Sequence, residues 1–356
     1  MSRSKMGFQG KIIKWYGINK RDLPWRLTTD PYLIWLSEVI LQQTRVDQGL
    51  PYYQRFTEKF PKVEDLATAS LDAVLKLWEG LGYYSRARNL HTAAKYVGDQ
   101  LDGKFPTDYK TLLKMKGVGP YTAAAIASFS AGKAVAVVDG NVYRVLSRYF
   151  GVDTPIDSPS GKKEFADLAA SLIPPSNPGI YNQAIMEFGA LQCRPAAPDC
   201  ASCPLADTCI AFNKDLVSVL PVKSKKVKVT ERHFNYLIIS NKETILLKKR
   251  TESDIWRELF ELPLIETKTA VNEVKLIQSP EFRKLTGANY HLKEVSRPIT
   301  HKLSHQTINA RFFTIEIKAG RSVKSNHPFI RVPFGKVREY PVPRLISRYF
   351  EEAFDW

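Results

Sequence analysis

The sequence predicts a helical domain followed by a smaller mixed α/β domain, and three observations carry this prediction. The 356 residues exceed the size at which one hydrophobic core usually stops growing. Helical patterns of apolar residues dominate up to about residue 215, and no convincing strand precedes that point. Beyond it, short β-branched runs alternate with helical patterns. We therefore expect a multi-domain α plus α/β fold, with an all-α domain at 1–217, a linker at 218–230 and an α/β domain at 231–356.

The first helix pattern begins at Asp30, because an aspartate side chain can cap a helix that proline starts at position 31. Apolar residues from Leu33 to Leu41 continue this pattern. The remaining helices predicted for the first domain lie at 71–78, 86–97, 108–115, 121–129, 142–150, 162–172 and 181–191.

A change of composition marks the end of the helical part. The stretch 221–228 holds four lysines and no acidic residue, which predicts a solvated linker or an arm facing phosphates. Two β-branched runs then flank a short Asn241-Lys242 turn, which predicts a β-hairpin. The elements predicted for the second domain are strands at 234–240, 245–249 and 310–318, and helices at 272–285 and 343–354.

Charge limits the class of partner. Lysine and arginine number 52 against 36 aspartates and glutamates, so the net charge of +16 favours a polyanion. Nucleic acid is the first expectation and an anionic membrane surface the second. No run of about 20 apolar residues exists to span a membrane, and the N-terminus lacks the apolar segment of a signal peptide. We therefore expect a cytosolic protein.

All four cysteines of the chain lie in one short loop with the spacing C-x6-C-x2-C-x5-C. In a cytosolic protein, clustered cysteines more often bind metal than form disulfides. Four thiolates suit either a tetrahedral zinc or an iron-sulfur cluster, and ligand chemistry alone does not choose between them. Structural zinc sites usually have two C-x2-C pairs, and the single pair here favours the cluster. The four residues are Cys193, Cys200, Cys203 and Cys209.

The segment Leu112 to Ala125 predicts two short helices joined by a Gly-Val-Gly turn. Gly117 and Gly119 would let bare backbone N–H groups approach a phosphate, and the next helix N-terminus adds a partial positive charge. Such a turn would bind the DNA backbone without reading its sequence. The alternative is a plain helical hairpin with a glycine turn.

Two carboxyl groups are candidates for acid–base chemistry. Glu38 has mostly apolar neighbours at helical spacing, and burial would raise its pKa so that it could act as a general acid. The alternative places Glu38 on the solvated flank of its helix. Asp139 precedes Gly140-Asn141 and a helix, where an ordinary N-cap is the alternative.

Together these residues resemble the helix-hairpin-helix DNA glycosylases that carry a 4Fe-4S cluster. The hairpin at about 107–130, the run Val138-Asp-Gly-Asn-Val142 and the cysteine loop 193–209 carry the resemblance across residues 8–212. The segments LPWR at 23–26, SEVILQQT at 37–44 and GLGYYSRARN at 80–89 are similar to the adenine-specific branch. The resemblance implies a 4Fe-4S cluster on the four cysteines. It also implies a monomer that binds double-stranded DNA with adenine opposite 8-oxoguanine or guanine.

The resemblance also implies roles for single residues. Glu38 would protonate the adenine base, and Asp139 would stabilise the positively charged sugar that forms when the base leaves. Opposite pKa shifts would suit these roles, and we expect the apolar surroundings of Glu38 and the helix N-terminus at Asp139 to move the two values apart. Tyr121 and Asn141 would line the pocket. The implied DNA-binding residues are Arg26, Gln43, Tyr83, Gly117 and Gly119, of which Gln43 and Tyr83 would wedge into the duplex.

Tyr121 separates two branches of this family. Members that also cleave the strand carry a lysine at this position, whose amine attacks the sugar. The phenol therefore implies simple hydrolysis. A glycosylase and lyase acting on oxidised pyrimidines is one alternative, against which Tyr121 and the second domain count. A non-catalytic DNA-binding protein is the other, and the two intact carboxyl groups argue against it.

The second domain is similar to the Nudix-like domain that follows the catalytic domain in the adenine-specific branch. The segments 246–250 and 255–263 are in the expected places, but the acidic box that holds catalytic magnesium in Nudix enzymes is missing. We therefore expect recognition and no pyrophosphate hydrolysis. The resemblance implies that Ser304 and His305 read 8-oxoguanine, although Leu303 replaces the aromatic residue usual before them. The alternative is a strand end without a ligand.

Overall fold

A computed structural model describes residues 2–224, 229–241, 243–317 and 329–354, with side chains from residue 7 onward. The chain divides into two compact units. The first unit comprises residues 1–68 and 89–226, and the second unit comprises residues 69–88 and 227–356. The second unit thus includes a segment from the helical part of the sequence. None of the described helices combines the length and the apolarity that a bilayer crossing would need.

Helices dominate the described residues up to 224, as the sequence predicts. Short 3-10 turns at Pro24–Arg26 and Ala206–Thr208 connect some of them. The α-helices are α1 Ser2–Asn19, α2 Pro31–Ile40, α3 Val46–Lys59, α4 Val63–Thr68, α5 Leu71–Leu77, α6 Ser85–Gln100, α7 Tyr109–Leu112, α8 Pro120–Ala131, α9 Gly140–Phe150, α10 Pro159–Leu172, α11 Pro178–Leu191 and α12 Ile210–Asn213.

The predicted helices of this part are confirmed, except that the one expected at 108–115 covers only Tyr109–Leu112. The start of α2 forms as expected, because the Asp30 carboxylate accepts a hydrogen bond from the Tyr32 backbone N–H at 2.8 Å. Four helices, α1, α3, α4 and α12, are not among the predicted ones. Helix α3 has no side-chain cap and contains Pro51, which is ordinarily a helix breaker. Helix α1 had a usable signal, because Phe8, Ile12 and Tyr16 recur every four residues and are all buried.

Helix α9 lies in the main core of the first unit. Its residues Val142, Val145 and Leu146 pack with Phe8 of α1 and Phe188 of α11. Three of the cysteines pack against the same core. Because apolar contacts from several helices hold α9, the position of its N-terminus is fixed by packing. The core also includes Ile12, Tyr16, Tyr149, Phe165, Ala169, Leu172, Tyr181, Ala184, Ile185 and Leu205.

Eight strands among the described residues form one mixed sheet in the second unit. Its central order is β3-β2-β1-β7-β5, with β4 paired to β1, β6 to β7 and β8 to β2. Strands β1 and β7 are parallel, and the other pairs are antiparallel. The strands are β1 Thr230–Ser240, β2 Thr244–Lys249, β3 Phe260–Glu261, β4 Leu264–Thr267, β5 Tyr290–Val295, β6 Ile299–Lys302, β7 Gln306–Ile317 and β8 Phe329–Pro333.

Helices cover both faces of this sheet, which explains why β1 is buried continuously from residue 234 to 239. On one face, Leu237 and Phe313 pack with Phe282 and Leu285. On the other, Phe312 stacks on Tyr349 with ring centroids 3.8 Å apart. The covering helices are α13 Glu273–Ile277, α14 Pro280–Thr286 and α15 Arg344–Ala353.

The predicted α/β character of the second part is confirmed, with one correction. The hairpin pairs Ser240 with Ile245, although Lys242 of its turn lies outside the described residues. Residue 318 of the predicted third strand and residues 225–228 of the lysine-rich stretch also lie outside them. The single helix predicted at 272–285 is wrong. The chain forms two helices, because a new helix begins at Pro280. Ser279 caps this helix, and its hydroxyl accepts a hydrogen bond from Phe282 N at 3.2 Å.

We predict that Gly189→Ala destabilises the first unit by about 1–3 kcal/mol. A Cβ at this position of α11 would lie 2.7 Å from Asn141 Cβ and 2.8 Å from Asn141 O, both of which are rigid atoms. This clash should exceed the gain of about 1 kcal/mol that alanine brings to a helix. Urea unfolding would measure the change. Gly10→Ala is the matched control, because nothing lies within 4 Å of its added Cβ. Equal stabilities of the two variants would contradict the prediction.

Candidate functional site

The first unit contains a cavity of about 860 Å³, which we call the carboxyl pocket. It is lined by Glu38 from α2, Tyr121 from α8, and Asp139 and Asn141 at the start of α9. The structure thus brings together the four side chains for which the sequence analysis predicted a common pocket. Other lining residues include Arg21, Arg26, Gln42, Gln43, Gln183, Met186 and Glu187.

Glu38 is buried, with 7% of the residue exposed, which excludes the solvated position considered as its alternative. Burial raises the pKa of Glu38 to about 7, and repulsion from Asp139 contributes to the rise. The Tyr121 hydroxyl donates a hydrogen bond of 2.6 Å to Glu38 Oε2, which opposes the rise because it favours the ionised carboxylate. Glu38 can therefore both hold and release a proton near neutral pH.

Asp139 caps α9 and faces the same pocket. Its carboxylate accepts hydrogen bonds from Asn141 N at 2.9 Å, Val142 N at 2.8 Å and Asn141 Nδ2 at 2.8 Å. Burial raises the pKa of Asp139, while these hydrogen bonds and the charge of Arg144 counteract the rise. From the sequence, we expect the helix N-terminus to move the pKa of Asp139 in the opposite direction to that of Glu38. Burial outweighs it, so the shift is upward for both carboxyl groups.

Arg144 holds the start of α9 in place. Its guanidinium donates to Asn141 Oδ1 at 2.8 Å, to Gly189 O at 2.6 Å and to Cys193 O at 2.6 Å. One buried side chain thus connects the pocket residue Asn141 with α11 and with the beginning of the cysteine loop. The sequence analysis did not identify Arg144, because an arginine inside a helix is ordinarily solvent-exposed and only the tertiary structure buries it.

Glu187 on α11 is a second pocket residue that the sequence did not reveal. Arg21 and Arg26 each place a guanidinium nitrogen 2.7 Å from Glu187 Oε2. Burial alone would raise the pKa of Glu187, but the hydrogen bonds from the two arginines lower it to about 2. Arg26, expected at the DNA, is thus engaged with Glu187 and leaves 14% of its side chain exposed. Its DNA-binding role stays a prediction.

The backbone of the Gly-Val-Gly turn between α7 and α8 requires glycine at position 117 but not at position 119. Gly117 has φ +80°, and a Cβ there would lie 2.8 Å from Asn89 Cβ. Gly119 has an extended backbone, precedes Pro120 of α8, and nothing lies within 4 Å of a Cβ built on it. The first glycine makes the turn, and the second leaves open space at a helix N-terminus. Gln43, another predicted DNA-binding residue, borders the carboxyl pocket with φ 59°.

The four cysteines line one small cavity next to the core of the first unit. Arg148 of α9 donates to Cys193 Sγ at 3.5 Å, to Arg194 O at 2.7 Å and to Pro195 O at 3.1 Å. Burial raises the pKa of the Cys200, Cys203 and Cys209 thiols, and repulsion from Cys193 adds to each rise. Within the described residues, no three His, Cys, Asp or Glu side chains are arranged to hold a single metal ion.

The predicted lesion-reading residues occupy a hairpin tip in the second unit. Ser304 and His305 lie between the antiparallel strands β6 and β7, and Leu303 N donates to Gln306 O at 2.7 Å to close the turn. Both residues are exposed. The Tyr83 hydroxyl, which belongs to the same unit, is in contact with the Ser304 hydroxyl. Residues predicted from two separate segments of the sequence, Tyr83 from one and Ser304 and His305 from the other, therefore lie in the same unit.

Comparison with known families matches the two parts of the chain separately. Residues 36–175 match the family described as HhH-GPD superfamily base excision DNA repair protein. Residues 235–352 match the NUDIX domain family. These matches agree with the helical first part and the mixed sheet of the second part.

Similar proteins are found along almost the whole chain. An adenine DNA glycosylase of Buchnera aphidicola subsp. Schizaphis graminum is 36% identical over 303 residues, covering 85% of each chain. An adenine DNA glycosylase of Buchnera aphidicola subsp. Acyrthosiphon pisum is 33% identical over 350 residues, covering 98% of each. Among solved structures, a thermostable thymine-DNA glycosylase is 31% identical with a TM-score of 0.56, covering 60% of this chain and 98% of its own.

We predict that Glu38→Gln removes a pH-dependent loss of stability. Since the pKa of Glu38 rises from 4.5 to about 7 on folding, the folded wild type binds this proton more tightly than the unfolded chain. The favourable contribution of Glu38 protonation to the free energy of unfolding is complete below pH 4.5 and is lost as pH rises to about 7. The variant should therefore gain about 2–3 kcal/mol relative to wild type between pH 4.5 and pH 8. Urea unfolding at both pH values measures this, and parallel pH profiles would contradict the raised pKa.

Proposed function

This chain belongs to the adenine DNA glycosylases, the DNA N-glycosylases of base excision repair, and we propose that the adenine it removes lies opposite 8-oxoguanine or guanine. The single observation that carries the proposed mechanism is the buried Glu38 that shares a pocket with Asp139. Their pocket is large enough for a base that has left the duplex, as the chemistry requires. DNA is the partner of this enzyme, in keeping with its net charge of +16.

Glu38 acts as the general acid in this proposal. Its pKa of about 7 means that a large share of the molecules carry the proton at neutral pH. Transfer of that proton to a ring nitrogen of adenine makes the base a better leaving group, and the electrons of the N-glycosidic bond go to the base. Tyr121 then stabilises the Glu38 carboxylate through its hydrogen bond of 2.6 Å.

Asp139 stabilises the positive charge that develops on the sugar. Three hydrogen bonds from Asn141 and Val142 favour its ionised form and hold its orientation. Water then adds to the sugar carbon, and its proton passes to a proton-accepting side chain in the pocket. The products are an abasic site and free adenine. Tyr121 cannot act as the amine nucleophile of the strand-cleaving branch, which supports a monofunctional enzyme.

Two sets of residues place the DNA. Gln43 and Tyr83 would insert into the duplex beside the mispair, where they would offset part of the cost of extruding the adenine. Both have left-handed backbones, with φ of 59° and 48°, which is unusual outside glycine and common at functional sites. The open N–H groups at Gly117 and Gly119 would bind a backbone phosphate. Arg26 would add a positive charge near the strand that contains adenine.

Ser304 and His305 would read the base opposite the adenine. 8-Oxoguanine differs from guanine at its imidazole edge, where a hydroxyl or an imidazole nitrogen can form hydrogen bonds. Their positions support this role, because both polar side chains are exposed at a hairpin tip, where a base can reach them. The replacement of an aromatic residue by Leu303 changes the apolar packing of the tip and leaves both polar groups in place.

Cys193, Cys200, Cys203 and Cys209 would bind a 4Fe-4S cluster. All four line one cavity, and Arg148 beside Cys193 supplies positive charge that suits an anionic cluster. In such a cluster each thiolate binds a different iron, so the four need not meet around one ion. When bound, the cluster would hold the loop 193–209 in a single conformation. We further propose that the enzyme works as a monomer, because one chain supplies all four predicted side chains of the carboxyl pocket, and that it acts in the cytoplasm.

We expect single-turnover incubation with duplex DNA to release adenine opposite 8-oxoguanine faster than adenine opposite guanine. The strand should break only after hot alkali, because no amine nucleophile is positioned to cleave it. Glu38→Gln should slow base release by about 10²–10⁴-fold and keep DNA affinity, since only the proton donor is lost.

Glu58→Gln, an exposed position on α3, is the control for removal of a carboxyl group and should behave as wild type. Strand breaks without alkali would refute the monofunctional proposal and indicate a lyase. Undiminished base release by Glu38→Gln would remove Glu38 from the role of acid. Equal rates opposite the two bases would remove the proposed lesion preference.

We expect the purified protein to contain iron and acid-labile sulfide at about four of each per chain, with no zinc. Cys203→Ala should lower this content severely, because one iron would lose its ligand. Ser202→Ala is the control, since it changes the neighbouring residue and keeps every thiol. Metal analysis and absorbance spectroscopy measure the outcome, and stoichiometric zinc in place of iron would refute the cluster.

A further inference from the structure

The segment 69–88 belongs to the second unit although it lies within the stretch 36–175 that matches the glycosylase family. It consists of α5, a turn and the start of α6, and Tyr83 occupies the turn. The contact between the Tyr83 and Ser304 hydroxyls lies inside this unit. The proposed wedge and the proposed lesion reader are therefore parts of the same compact body.

Internal contacts make the turn rigid. The Trp78 indole N–H donates to Gly82 O at 2.9 Å, and Arg86 donates to the same carbonyl at 3.3 Å. Arg86 also lies over the rings of Trp78 and Tyr83, at 5.0 and 5.6 Å from their centroids. Gly82 has φ +76°, which the tight turn requires. A displacement of α5 or α6 would consequently move Tyr83 with it.

One contact on each side of Tyr83 anchors this segment. Before the turn, Asp72 of α5 forms an ion pair with Lys249 Nζ at 2.7 Å. After it, Arg88 Nη1 of α6 donates to Arg257 O at 2.9 Å. Both anchors come from neighbouring parts of the chain, the end of β2 and the loop 250–259.

The loop 250–259 is itself held by a buried ion-pair network. Arg250 donates to Glu261 Oε2 at 2.6 Å and to Asp254 Oδ2 at 2.8 Å, and its Nε donates to Ile255 O at 3.0 Å. Arg250 and Glu261 are 5% and 4% exposed. Because a buried pair of this kind has few alternative partners, the loop presents Arg257 O in a defined place.

We propose that Lys249 and the loop 250–259 are positioning elements that set the placement of Tyr83 for discrimination between 8-oxoguanine and guanine. The second unit then contributes to the choice of the lesion in two ways, through Ser304 and His305 and through the anchored turn. This inference rests on the proposed reading of 8-oxoguanine. It also gives a role to the segment 255–263. This segment is similar to Nudix enzymes, but the chain lacks the acidic box that such enzymes need for hydrolysis.

The expected effects are moderate because the Asp72 and Lys249 side chains are 42% and 31% exposed. Partly exposed ion pairs have coupling energies that correspond to about two- to fivefold in an equilibrium. Lys249→Met and Asp72→Asn should each lower the ratio of single-turnover rates, 8-oxoguanine over guanine, by that factor. Adding Arg88→Met to Asp72→Asn removes both anchors and should lower the ratio by about tenfold.

The experiment measures this ratio for wild type, the single variants, the double Asp72→Asn and Lys249→Met variant, and the charge swap Asp72→Lys with Lys249→Asp. Lys249 also pairs with Glu258 at 3.6 Å, so the double variant should lose no more than Lys249→Met alone. The swap should restore only part of the ratio, because an aspartate at position 249 would repel Glu258. Lys293→Met is the matched control, because Lys293 of β5 pairs with Glu316 of β7, and neither residue belongs to segment 69–88 or to the loop 250–259. Thermal unfolding should be similar for all variants.

Ser304→Ala is the reference for direct reading of the lesion. If wild type and Ser304→Ala differ but the anchor variants keep the wild-type ratio, the positioning role is wrong and lesion reading stands. Wild type without any preference would overturn both. A similar fall for Lys293→Met would also overturn the inference, because it would show an effect of surface charge alone.

Discussion

The burial of helix α9 is the constraint on which the site depends. Its apolar side places Val142, Val145 and Leu146 in the main core, so its N-terminus cannot move independently. That N-terminus carries Asp139 and Asn141, and the same helix sends Arg144 and Arg148 to the cysteine loop. One packed helix therefore determines where the Asp139 carboxylate, its hydrogen-bond donors and the start of the cysteine loop lie. Packing energy supplies the rigidity that an acid–base pair requires.

Burying two carboxyl groups in one pocket is costly, and the protein treats them differently. Glu38 receives one hydrogen bond and has a pKa of about 7, so it can exist as the neutral acid. Asp139 receives three hydrogen bonds, which oppose the effect of its burial. A third carboxylate, Glu187, is neutralised by two arginines at the rim of the same pocket. Unequal hydrogen bonding thus gives these three carboxyl groups different electrostatic environments, although they are chemically alike.

The second unit shows how a segment distant in sequence can join a recognition surface. Tyr83 precedes Ser304 by more than two hundred residues, yet their hydroxyls are in contact. The segment around Tyr83 is held by the ion pair of Asp72 with Lys249 and by a hydrogen bond from Arg88 to the loop 250–259. The buried Arg250 and Glu261 hold that loop in turn.

Local chemistry let the sequence determine the fold class, most helices of the first part, the cap at Asp30 and the family. Motifs around Glu38, Tyr121, Asp139 and the four cysteines also allowed the pocket residues to be named, because residue type and spacing are properties of the chain itself. Only the tertiary structure decided that Arg144 and Glu187 are buried, that Asp139 shifts upward in pKa, and that residues 69–88 pack with the sheet. Burial, desolvation and long-range ion pairs depend on which segments meet, and no local pattern records those meetings.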